Sequence, residues 1–259
     1  MKGKNVMKNK ISGKIVALLL TLIIVATSGM PLYAKETGDK ANSFRYENGQ
    51  SIAKAVPFST LSPNAWKKID GKYYSGDGSV IEGAVAKGID VSHHQGTVDW
   101  KKAKEDGVEF AIIRCGFGMN QTKQDDAQWF NNVKGCEENN IPYGVYLYSY
   151  ADTVKKAQSE AEHVLRLIKG HTLAYPVYYD IEEKAVLNKL TAEQLGKIAA
   201  TFVNKVKAEG YQTGIYSNKS NFETFLTDSQ FSQWNKWVAQ YNSAACTYKG
   251  TYQIWQAAD

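Results

Sequence analysis

Tyr143-Gly144-Val145-Tyr146-Leu147-Tyr148, then Val154–Ile168, then Pro176-Val177-Tyr178-Tyr179-Asp180-Ile181: this stretch decides the fold. Its two outer pieces are apolar and aromatic runs of strand length. The piece between them spaces Val154, Ala157, Ala161, Val164 and Ile168 by three and four residues, which places them along one side of a helix. A strand, a helix and a strand in that order make a crossover, so the two strands lie parallel. The same alternation extends both ways. Strand-like runs occur at Gly88–Val91, Phe110–Arg114, Gly214–Tyr216, Trp237–Gln240 and Tyr252–Trp255, and amphipathic stretches at Trp100–Glu105, Ala127–Glu138 and Thr191–Ala208. Thr191 caps the last of these, with Gln194 placed to answer it, and Gly170 and Gly210 stop two helices. The order βαβαβαβαβ predicts an α/β fold with a parallel sheet. After Tyr216 the helical signal weakens and strands follow without long crossovers. The expectation is a TIM-like barrel of about five βα units plus irregular closing strands, not a complete eight-helix barrel.

The chain of 259 residues carries 31 Lys and Arg against 26 Asp and Glu, a formal charge of +5. Lys2, Lys4, Lys8, Lys10 and Lys14 fall within the first 34 residues, which hold no acid. Without them 26 bases face 26 acids, so the charge gives no footing for nucleic acid. These lysines precede the apolar run Ile15–Ala26, and Leu32-Tyr33-Ala34 closes the segment on a small residue. That pattern reads as a signal peptide over residues 1–34. As a helix the run spans only about 18 Å, against roughly 30 Å of hydrocarbon, so the mature chain is expected outside the cell with no stable membrane insertion. An uncleaved N-terminal anchor is the alternative, since Leu32 is imperfect for cleavage. Residues 35–85 read as a polar linker. Within it Trp66–Tyr74, with Gly76-Asp77-Gly78 after it, reads as one short β-hairpin, and resembles a single copy of the aromatic wall-binding repeats of bacterial surface proteins. Only one copy is found, and such repeats need neighbours, so a linker hairpin packed on the main domain is the favoured reading. Residues 86–259 form that domain.

In a parallel barrel, polar side chains at the C-terminal strand ends form the active site. The first strand delivers Asp90 there, and the fourth delivers Asp180 and Glu182. A spacing of two on a strand puts both carboxyl groups on one face, about 7 Å apart at the backbone, with Ile181 turned to the outer core. Two neighbouring buried acids do not both ionise easily, so one keeps its proton, as a general acid acting on an acetal bond requires. The bland reading is that they cap the next helix or bind solvent. Tyr146, Tyr148, Tyr178, Tyr216, Trp237, Tyr241 and Trp255 also gather near strand ends. They suit stacking on sugar rings, although core filling accounts for about half of them. Arg114 either reaches the cleft to pair with an acid or anchors a loop carboxylate.

Read in order, these residues resemble glycoside hydrolase family 25, the Chalaropsis-type lysozymes. The likeness rests on Gly88-Ile89-Asp90-Val91-Ser92 with Gln95-Gly96 and Asp99-Trp100, then Phe110–Arg114, Pro142–Tyr146 and Tyr179-Asp180-Ile181-Glu182. It ends with Gly214–Ser217 and Ile254-Trp255-Gln256, and covers about Lys87 to the end. The resemblance implies a flattened β/α barrel and cleavage of the β-1,4 bond between N-acetylmuramic acid and N-acetylglucosamine. It implies Glu182 as the general acid, Asp180 orienting substrate through its 2-acetamido group, and Asp90 complementing an oxocarbenium-like transition state. Tyr146, Tyr148, Tyr178, Tyr216, Trp255 and Arg114 would line the substrate cleft. Whether the route is substrate-assisted or uses an enzyme nucleophile stays open at this point. Family members continue to a further strand with another active-site aspartate. This chain reaches Asp259 four residues after Trp255, so the domain is expected to lack that closing segment, and the role is not carried to Asp259.

Other residues carry less. His93-His94 invites a zinc reading, but adjacent residues do not comfortably face one ion and no cluster completes four ligands, so no metal or cofactor is expected. Cys115, Cys136 and Cys246 leave an odd thiol, and packing is the default for the first two. The expected partner is the glycan strand of peptidoglycan, met by a monomer associated with the cell wall. Two alternatives stand: a non-catalytic wall-binding protein that keeps the cleft, and another glycosidase of N-acetylated glycans. A chitinase-like D-x-x-D-x-D-x-E strand fits poorly, because Tyr178 occupies one of its acid positions.

Overall fold

Side chains alternate along seven parallel strands, and that alternation builds two cores. A computed structural model of the chain describes residues 45–47, 50–52, 67–75, 78–241 and 245–257, so the leader lies outside the described residues. Two antiparallel hairpins come first: β1 (Arg45–Glu47) with β2 (Gln50–Ile52), and β3 (Lys67–Ile69) with β4 (Lys72–Tyr74). The main sheet follows as β5 (Gly88–Val91), β6 (Phe110–Phe117), β7 (Tyr143–Tyr148), β8 (Val177–Asp180), β9 (Thr213–Asn218), β10 (Asn235–Ala239) and β11 (Ile254–Gln256). These seven strands pair parallel and in sequence order. The helices between them are α1 (Trp100–Glu105), α2 (Trp129–Glu138), α3 (Val154–Ile168), α4 (Lys184–Leu187), α5 (Ala192–Ala208) and α6 (Lys219–Thr224).

Laid flat, seven strands would hold the sheet edges about 29 Å apart, six spacings of about 4.8 Å. Instead Gln256 Nε2 on β11 donates to Asp90 Oδ2 on β5 at 2.8 Å. The sheet therefore curls until a side chain bridges its edges, although no backbone ladder joins β5 to β11 among the described residues. Outward-facing Ile113, Val145, Leu147, Val177, Tyr179 and Ile215 pack with the helices in one large core. Tyr179 stacks on Phe202 of α5, ring centroids 3.9 Å apart. Inward-facing Phe110, Ile112, Tyr178, Tyr216 and Trp237 form a second core on the concave side. Gly214 serves this core by having no side chain, because a Cβ there would lie 2.5 Å from the Tyr178 ring.

The anticipated cap of α5 is present as a reciprocal capping box between Thr191 and Gln194. Three features differ from expectation. β6 runs on to Phe117 through a register shift between Arg114 and Gly116. α4 and α6 are too short to show a period. The hairpin β1–β2 adds a second unit where the sequence suggests one.

The hairpin β3–β4 turns on Asp70 and Gly71 with φ of 50° and 77°, the pair of positive angles that a two-residue turn of this type requires. Its Tyr73 is buried and donates to Glu109 Oε2 at 2.5 Å. Lys68 Nζ reaches Glu109 Oε1 at 2.6 Å, and the Lys87 N–H donates to Oε2 at 2.8 Å. Glu109 and Lys87 immediately precede β6 and β5, so the hairpin covers the N-terminal end of the sheet. The C-terminal end stays available for chemistry.

Candidate active site

Three carboxyl groups come together at the C-terminal ends of β5 and β8. Asp90 is the third residue of β5, and Asp180 closes β8. Ile181 then turns into the outer core, and Glu182 returns half-buried beside Asp180. Burial pushes the Asp180 carboxyl well above the usual carboxylate range; the Glu182 and Asp90 charges add to this and Arg114 opposes it. Asp180 Oδ1 is buried and has no hydrogen-bond partner among the described residues. Burial also pushes Asp90 up to about 6, against the pull of the Gln256 amide. Glu183, the third acid of the run, serves the helix instead. It caps α4 by accepting from the Ala185 N–H at 3.2 Å, and the Tyr148 hydroxyl lies 3.4 Å from its Oε2.

Arg114 points to the concave side from β6 and is fully buried. Its Nε donates to Asp126 Oδ2 at 2.7 Å, and its Nη2 contacts His93 Nδ1. The guanidinium can only donate, so His93 accepts on Nδ1. Asp126 also takes the backbone N–H groups of His93 and Gln128, at 3.0 and 2.9 Å. Burial opposes its ionisation, but these donors and Arg114 hold Asp126 down at about 2. Arg114 thus holds the loop carboxylate of Asp126, and its charge also tempers Asp180. The His93-His94 pair lies at this corner, and burial with the Arg114 charge holds His94 down at about 3. Among the described residues no group of three or more His, Cys, Asp and Glu side chains could hold a metal ion.

Trp237 is the hub beneath the acids. Tyr146, Tyr178 and Tyr216 pack around it with ring centroids 5.6, 5.5 and 4.3 Å away. Tyr178 is 1% exposed and forms the floor, whereas Tyr146 is half-buried. Tyr148 and Tyr216 flank Asp180 in register on the neighbouring strands. Tyr216 OH and Tyr241 OH both donate to Gln256 Oε1, at 2.8 and 2.9 Å. Trp255 pairs with outward-facing Val238, which places it on the opposite face from Gln256, and its Nε1 donates to Gln240 O at 2.9 Å. The structure therefore brings together Asp90, Asp180, Glu182, Arg114, Tyr146, Tyr148 and Tyr216, with Tyr178 beneath them and Trp255 turned away. Sequence reasoning does not single out Asp126 or give Gln256 a role. Asp126 is an acid in a loop with no pattern around it, and Gln256 meets Asp90 from 166 residues away.

Such a site can donate a proton, hold a carboxylate against developing positive charge and seat a ring on aromatic faces. A family model for glycosyl hydrolases family 25 matches residues 89–259. An autolytic lysozyme of Clostridium acetobutylicum is 27% identical over 173 residues, covering 67% of this chain and 50% of that protein. The modular autolysin LytC of Streptococcus pneumoniae, solved with a synthetic peptidoglycan ligand, is 32% identical with a TM-score of 0.64, over 74% of this chain and 47% of its own. The chain thus spans about half the length of these two relatives. A bacterial lysozyme of Streptomyces coelicolor shares the fold at 23% identity and a TM-score of 0.59, over 68% of this chain and 85% of its own. The strand-end acids, the aromatic floor and the match along the whole sheet agree: the chain belongs to glycosyl hydrolases family 25.

Proposed function

We propose that this chain is a lysozyme that hydrolyses the β-1,4 bond between N-acetylmuramic acid and N-acetylglucosamine in peptidoglycan. The observation that carries the reading is the acid pair Asp180 and Glu182, with a buried Asp180 oxygen that has no partner among the described residues. A buried acceptor left unsatisfied is costly, and an amide N–H from the substrate would satisfy it. The 2-acetamido group of both sugars supplies such an N–H. Two relatives support the reading, one described as an autolytic lysozyme and one as an autolysin solved with a peptidoglycan ligand.

The acid pair shares one proton. In the empty site burial favours its residence on Asp180. A substrate N–H donated to Asp180 favours the charged form there, and the proton passes to Glu182, beside the leaving oxygen. Glu182 then protonates that oxygen as the bond to the anomeric carbon breaks. Positive charge developing on the ring faces Asp90, and the acetamido oxygen, oriented through its N–H on Asp180, is placed to attack the anomeric carbon. Water completes the hydrolysis, and Glu182 recovers its proton from it. Because this route is substrate-assisted, the distance between carboxyl groups does not report the stereochemistry.

The leader at residues 1–34 supports export, with the mature protein acting at the cell wall as a monomer on glycan strands. Digestion of purified peptidoglycan, with mass spectrometry of borohydride-reduced products, tests the reading. New reducing-end N-acetylmuramic acid is the expected product. Reducing-end N-acetylglucosamine would move the cut to the other bond and refute the assignment, and no product from folded protein would favour a wall-binding role.

A further inference from the structure

We propose that Gln256 is a positioning residue that keeps Asp90 ionised, and that Tyr216 and Tyr241 act on Asp90 through it by fixing which way its amide faces. An amide has an oxygen that only accepts and a nitrogen that only donates. Two tyrosine hydroxyls donate to Oε1 at 2.8 and 2.9 Å, which uses both of its lone pairs. Nε2 is thereby turned to Asp90 Oδ2 at 2.8 Å. Flipping the amide would oppose two acceptors across that gap, an arrangement that holds only if Asp90 carries a proton. Amide orientation and Asp90 protonation are therefore one equilibrium, and the tyrosines set its position.

Asp90 needs such help. Tyr146 on β7, Asp180 at the end of β8 and Tyr216 on β9 all feel its charge, Arg114 on β6, Glu182 after β8 and Tyr241 after β10 act on those same groups, and His93 and His94 follow its own strand. Arg114 donates to Asp126 and contacts His93, and among the described residues the side-chain hydrogen bond that favours the charged Asp90 carboxyl comes from Gln256. Burial works against ionisation of the Asp90 carboxyl. Losing a donor to a charged group is worth about one to two pH units of titration midpoint. For Asp90 the shift is upward, because the lost hydrogen bond favoured the charged form.

The consequence for catalysis rests on the lysozyme reading, but the titration itself does not. We would follow the Asp90 carboxyl by 13C NMR against pH in the full chain without substrate, and measure the acid limb of kcat/KM on peptidoglycan beside it. Gln256→Met keeps the side-chain length and removes the donor. Its Asp90 midpoint is expected to rise by about one to two pH units, and the acid limb to follow. The double variant Tyr216→Phe with Tyr241→Phe keeps Gln256 but frees the amide, and a smaller rise is expected. The half-buried single change Tyr241→Phe serves where the others fold poorly, with a rise smaller again. An unmoved midpoint in folded Gln256→Met, or only a lowered Tm, would overturn the role of Gln256. A midpoint that moves in Gln256→Met but not in the tyrosine variants would overturn theirs. A shifted midpoint in a protein that releases no muramic acid end would uphold the proposal and count against the lysozyme reading instead.

Discussion

At the residue scale the site separates into groups the sequence announces and groups only the fold assembles. Asp180 and Glu182 are legible because the alternation of β8 continues through Ile181 beyond the strand end at Asp180, and Asp90 is legible as an acid within an apolar run. Asp126 and Gln256 are not, since each gains its role from a partner that the chain brings back from elsewhere. Two predictions belong here. Glu182→Gln removes the transferable proton while preserving shape, and turnover is expected to fall by about 10²- to 10⁴-fold with binding and Tm nearly unchanged. A variant that cleaves at the parent rate would remove Glu182 from the acid role. Asp126→Ala strands the buried Arg114 guanidinium, which should cost about 3–5 kcal/mol of stability by denaturant unfolding, whereas Asp126→Asn retains an acceptor and should cost less.

At the element scale, long periodic segments are readable and short ones are not. α3 and α5 repeat apolar residues over several turns, while α4 and α6 end within two turns, before a period can show. β6 is legible only as far as Arg114 because the register shift at Gly116 breaks the alternation that defines a strand. The dipeptide Asn48-Gly49 is a hairpin signal in the sequence, but the residues on either side of it are too polar to announce strands. The other hairpin yields a prediction. Burial opposes ionisation of Glu109, yet Lys68, Tyr73 and the Lys87 N–H hold it down at about 2. Glu109→Gln weakens all three contacts, so hydrogen exchange should accelerate in residues 67–75 while the strand ends around Asp180 keep their protection. Unchanged exchange in the hairpin would mean that Tyr73 burial alone secures it.

For the molecule as a whole, acids of opposite tendency shape stability against pH. Glu109 and Asp126 sit at about 2, below the ordinary 4.5 and 3.8, so their contribution is present above those values and is lost as pH falls toward 2. Asp90 and Glu160 run the other way. Burial raises them to about 6 and about 7, although Glu160 accepts from Tyr179, Ser149 and the Tyr150 N–H. The folded state binds these protons more tightly than the unfolded one, so stability falls as pH rises from about 4 through 7. Tm is therefore expected to peak at mildly acidic pH, and Glu160→Gln should flatten the decline on the neutral side. A Tm that climbs steadily from pH 5 to 8 would contradict this balance.

Every ladder in the main sheet joins strands that are neighbours in the chain, so the sheet can be laid down one strand at a time, each closure costing little entropy. The bridge from Asp90 to Gln256 is the exception, because it waits for the seventh strand. An incompletely synthesised chain, or one whose last strand has peeled away, can keep a largely intact sheet and still lack the contact that sets Asp90. Competence is then gained only after β11 has joined the six strands before it and is lost when that strand leaves, an order in time written into the order of the strands.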